Sequence, residues 1–94
     1  MDRDAYVDKL KAQIDDWNAE IDKMQAKARK AEADARVKYE EQITEMRAQR
    51  DKAEEKMREA RNASEQAWHD MSRSMTAAWD SISEGFRNAM RRFQ

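Results

Sequence analysis

From Val7 to Phe93 the larger side chains recur at intervals of three or four residues, and no proline interrupts them. That spacing places them on one face of an α-helix, and a strand, which needs alternation, cannot use it. The first part of the stripe runs Val7, Leu10, Ile14, Trp17, Ile21 and Met24, then Ala28, Ala31 and Ala35, a heptad seam. Asp2 or Asp4 is the expected N-cap, with acidic residues favoured at the positive end of the helix dipole.

After Ala35 the stripe steps by four to Tyr39 and again to Ile43 before 3-4 spacing resumes through Met46, Arg50, Ala53, Met57, Ala60 and Ser64. Such a stutter unwinds a supercoil locally and leaves the helix continuous. Alanine dominates here, so helices can approach closely while burying little area per residue. From Ser64 the period lengthens. Trp68, Met71, Met75, Trp79, Ile82, Phe86, Met90 and Phe93 follow an eleven-residue repeat, written as "AWHDMSRSMTA", "AWDSISEGFRN" and the partial "AMRRFQ". Eleven residues fill almost three whole turns, so this apolar face runs nearly parallel to a straight helix axis.

Loops and sheets need turn residues, and this chain has one glycine, Gly85, and no proline. With 41% charged residues, the composition is that of a long helix. The expected fold is therefore all-α: a long amphipathic helix forming an oligomeric coiled coil, kinked near residues 62–65. Residues 1–63 read as the heptad helix with its alanine-rich middle, and residues 64–94 as the eleven-residue-repeat helix. The kink is placed at "RNASEQ", where Asn62 and Glu65 have capping-box spacing. A straight helix of this length would extend about 135 Å and have no interior of its own. It must bury its stripe against a second copy, against itself as a hairpin, or in a lipid interface.

The chemistry-bearing residues do not converge. His69 is the single histidine; with Glu65 one turn before it, it offers two metal ligands where a site needs three or four. The pairs Asp15-Asp16, Glu40-Glu41 and Glu54-Glu55 are sequence neighbours and diverge by about 100° on a helix. There is no cysteine and no glycine-rich phosphate loop, so neither enzymatic activity nor a cofactor or metal is expected. Lys and Arg (19) nearly balance Asp and Glu (20) and interleave with them, which disfavours nucleic acid as a partner.

Residues 7–35 of the seam are thus the expected self-association surface of a homo-oligomer. Residues 68–93 are the expected partner face, meeting a protein or a membrane surface. Packing the bulky C-terminal stripe on the bulky segment Tyr6 to Met24 suits an antiparallel dimer or a hairpin; a parallel dimer matches like with like. Missing turn residues near Ile43 to Arg50 count against the hairpin. The start, "MDRDAYVDKLKAQ", holds no apolar run, so no signal peptide or membrane span is expected and the location is cytoplasmic, with peripheral membrane attachment as the alternative.

Two stretches, "DAYVDKLKAQIDDWNAEIDKMQAKA" and "AWHDMSRSMTAAWDSISEGFRNAM", resemble a family of small bacterial coiled-coil stress-response proteins. Tyr6, Leu10, Trp17, Asn18, Ile21, Trp68, Trp79, Gly85 and Phe86 carry the likeness. The resemblance implies a bacterial, cytoplasmic helical protein expressed under stress and brings no catalytic or ligand residues. In period alone, the C-terminal units are also similar to the amphipathic helices of apolipoproteins and phasins.

Overall fold

A computed structural model describes residues 2–92. The described chain is all-helical: α1 (Arg3–Lys30), α2 (Ala33–Asn62) and α3 (Glu65–Arg92). The expected single long helix is replaced by three helices of nearly equal length, folded into a bundle of 52 × 18 × 14 Å. The chain folds back twice through two-residue connections, Ala31-Glu32 and Ala63-Ser64.

The break near residues 62–65 is present, but its chemistry differs from the expected capping box. Asn62 is the last residue of α2, and Ser64 caps α3, its Oγ accepting the Ala67 backbone N–H at 3.0 Å. The break at 31–32 was not expected, because Ala28, Ala31 and Ala35 continue the seam without interruption. Ala31 takes an extended conformation there (φ −83°, ψ 153°), which any residue adopts without strain. The helix therefore turns without glycine or proline.

Packing explains why it turns. Each break leaves up to four carbonyls and four amides without helical partners, and a backbone bond is worth about 1 kcal/mol net. Burying one large side chain contributes about 1.5–3 kcal/mol, and α1 and α3 together carry many. Folding back closes one core from Tyr6, Leu10, Ile14, Trp17, Ile21, Met46, Trp68, Met75, Ile82 and Phe86. The long seam finds its partner within the same chain.

The contacts fix direction and register. Arg3 donates to the Ala63 carbonyl and Arg50 to Asn18, so α1 and α2 are antiparallel. Tyr6 meets Met75 and Trp17 meets Phe86, so α1 and α3 are parallel, with the bulky rings between them. Gln42 donates to the Met90 carbonyl, so the C-terminal end of the described α3 lies beside the first third of α2. Residues 32–38, preceding that level on α2, are all exposed.

Candidate functional site

Among the described residues, large side chains of all three helices gather in one core, and its aromatic members lie along the seam between α1 and α3. Tyr6, fully buried, sits at the centre of the first cluster. Its ring lies 5.1 Å from that of Trp68 and 6.2 Å, edge-on, from that of Trp79. Trp68, Met75 and Trp79 reach it because residues seven and eleven apart return to the same helix face. Tyr6 Oη donates to the Met75 carbonyl at 2.9 Å and lies 3.8 Å from the Met75 sulfur.

Burial, with a smaller contribution from the Glu59 carboxylate, pushes the Tyr6 hydroxyl up to about 12 from its usual 10. The phenol is therefore neutral across the physiological range and serves as a donor. The second cluster lies eleven residues on in both helices: Trp17 and Phe86 stack at 4.4 Å with rings only 7° from parallel. The repeat in α3 thus matches the spacing of the two large rings in α1.

The residues of the first stripe divide as follows. Leu10, Ile14, Trp17, Ile21 and Ala28 are buried, while Val7 and Met24 are half-buried. Ala31 forms the C-cap of α1, and Ala35, the last seam position, is exposed on α2. On α3, Trp68, Met75, Ile82 and Phe86 are buried and Met71, Trp79 and Met90 half-buried; Phe93 lies outside the described residues. Both stripes face one another in a single chain, which leaves Val37, 56% exposed, as the exposed large hydrophobic residue among those described.

Polar positions complete the seam. Gln42 is 2% exposed, and its Nε2 donates to the Met90 carbonyl at 2.8 Å, satisfying a group near the C-terminal end of α3. No apolar periodicity would have selected it. Arg50, which interrupts the stripe in sequence, bridges to Asn18 on α1 (3.0 Å) and to Asp51 and Glu54 on its own helix. Trp79 is held from outside by Lys9, whose Nζ lies 5.4 Å from the ring. Its Nε1 is buried and has no hydrogen-bond partner among the described residues.

Open grooves flank the bundle. One, of about 700 Å³ between α1 and α2, is floored by Ala28 and Ile43 and edged by Arg29, Arg36 and Arg47. Another, of about 240 Å³, runs between α1 and α3 past Trp17 and Phe86. His69 is exposed, and no group of three or more His, Asp or Glu side chains is placed to hold a metal ion among the described residues. No described helix is long and apolar enough to cross a membrane.

Compared with known protein families, with curated proteins and with solved structures, the chain matches none. Its functional reading rests on the geometry above and on the sequence.

Proposed function

We propose that this chain is a non-enzymatic helical scaffold that acts by self-association, serving in a bacterial stress response as its sequence resemblance implies. One observation carries the self-association: the two bulky stripes are complementary to each other and are connected through α2 by two-residue turns at each of its ends. Surfaces that satisfy one another within a chain can satisfy the same surfaces of a second copy. The inter-helix polar groups support the same reading, since Tyr6, Gln42, Arg3 and Arg50 are engaged in joining helices. Light scattering from micromolar to millimolar concentration tests it: a mass that rises above the monomer is expected, and a monomer throughout would defeat it.

The second reading is binding to a membrane or lipid granule by α3, and the unpartnered Trp79 Nε1 favours it. In an interface an indole N–H finds a partner while its ring stays in apolar surroundings, so swinging α3 out at Ala63-Ser64 would relieve this group. With Trp17→Phe removing the α1 reporter, a blue shift of the remaining tryptophans and co-sedimentation with small vesicles are expected. Absence of both removes the lipid reading.

A further inference from the structure

The turn at Ala31-Glu32 is the weakest-specified element of the bundle. The sequence across it, Ala28-Arg29-Lys30-Ala31-Glu32-Ala33-Asp34-Ala35-Arg36, consists of residues compatible with helix and contains no breaker. Glu32, the N-cap of α2, makes no side-chain capping bond. Of the carbonyls that a continuous helix would satisfy, Ala28 O accepts the Ala31 N–H at 3.2 Å and Arg36 Nε at 3.3 Å, and Ala31 O accepts Arg36 Nη2 at 3.2 Å. The Ser64 cap at the other turn has no counterpart here.

Straightening this turn would restore the i to i−4 bonds from residues 32–35 to residues 28–31. It would also return exposed Ala35 to the stripe formed by Met24, Ala28, Ala31, Tyr39 and Ile43. The cost is the loss of every α1 contact within the chain, unless another molecule supplies the same surface. A second copy supplies it without a change of sequence or register.

We infer that two copies of this chain exchange α1 by straightening Ala31-Glu32, so that α1 of each copy packs on α2 and α3 of the other. This rests on the self-association proposed above and names its mode. In the exchanged dimer residues 3–62 form one helix of about 90 Å, running antiparallel to its mate. The Arg3–Ala63, Tyr6–Met75, Trp17–Phe86 and Asn18–Arg50 contacts all re-form between copies. Only the segment around residues 31–36 meets new neighbours. It is rich in alanine, so the two long helices can approach closely where they cross, and the described part of α3 reaches the level of Gln42.

Proline separates the two forms. Ala33 is the first residue of α2, and Glu32 before it is extended (φ −66°, ψ 161°), so Ala33→Pro fits the bent turn. Inside a straight helix the same proline loses a bond and clashes with the preceding turn. The full chain is refolded at micromolar and at millimolar concentration and its mass measured by light scattering, with circular dichroism confirming helicity. Dimer is expected to grow with refolding concentration, to rise several-fold in Arg36→Ala, and to fall more than about a hundredfold in Ala33→Pro.

A cysteine pair, Asn18→Cys with Arg50→Cys, bridged by a short bis-maleimide, gives the topology directly. Isolated dimer must yield covalent dimers, and isolated monomer must yield internally bridged single chains. Dimer that persists unchanged in Ala33→Pro, or that bridges only within chains, overturns the exchange and leaves self-association standing. Monomer at every concentration in all variants overturns both.

Discussion

At the end of the bundle holding the Ala63-Ser64 turn, three helices are present and the rings of Trp68 and Trp79 pack around Tyr6. There Ser64 caps the new helix and Arg3 donates to the Ala63 carbonyl at 2.6 Å. At the opposite end the floor is Ala28 and Ile43, and the Arg36 side chain joins the Ala31 N–H in bonding carbonyls at the end of α1. Both turns are two residues long and both lack glycine, so turn length and backbone strain do not distinguish them. What distinguishes them is how much large apolar surface each one closes over. A chain turns reliably where bulky residues on both sides gain from it, and weakly where alanine faces alanine.

The largest test of this contrast is truncation at each end. Tyr6→Ala empties the closed end and is expected to lower stability by about 3–5 kcal/mol, enough to unfold much of so small a bundle. Tyr39→Ala removes a half-buried ring at the open end and should cost at least about 2 kcal/mol less. Urea midpoints of the two variants check the difference, and equal losses would show that the ends are equally tight.

The closed end also carries its own pH signature. Tyr6 ionises near 10 when unfolded and near 12 when folded, so between those values the unfolded chain has released a proton that the folded chain still holds. Stability is therefore undiminished below about pH 10 and falls as pH rises toward 12. Tyr6→Phe should cost about 1 kcal/mol at neutral pH through the lost bond to the Met75 carbonyl, and should flatten that alkaline decline. Denaturant curves at pH 8 and pH 11 for both proteins would measure it.

Smaller effects separate the turns themselves. Ser64→Ala deletes a cap and should cost about 1 kcal/mol, whereas Arg36→Ala, at an exposed site, should cost about half as much. Amide exchange should show the same order, with residues 32–36 opening locally and residues 67–70 exchanging nearer the global rate. A change of the opposite sign is expected at Gly85. A Cβ there would stand 2.8 Å from the end of the Gln49 side chain, which can swing away, so Gly85→Ala should stabilise α3 by up to about 1 kcal/mol. A loss instead would mean that Gln49 is held in place.

Much of this was legible beforehand. The stripe from Leu10 to Ala28 and the face from Trp68 to Phe86 are the residues that meet in the core, because helical period alone dictates which side chains share a face. The break near Ser64 was legible too, from the polar residues around it, although Ser64 rather than Asn62 proved to be the cap. Gln42 and the Arg36 bridge were not, since each depends on a carbonyl that only folding brings near. The turn at Ala31-Glu32 was equally hidden: local propensity there favours a straight helix, and the sequence pattern continues across it.

The sequence by itself determined that this chain is helical and which faces must be covered, since spacing and the lack of turn residues leave no other regular structure. Tertiary structure alone decided what covers them. Burial is non-directional, so a stripe of tryptophan, methionine and phenylalanine specifies that it will leave water without specifying its partner. The matched spacing of Tyr6 with Met75 and of Trp17 with Phe86 made the partner the chain's own α1.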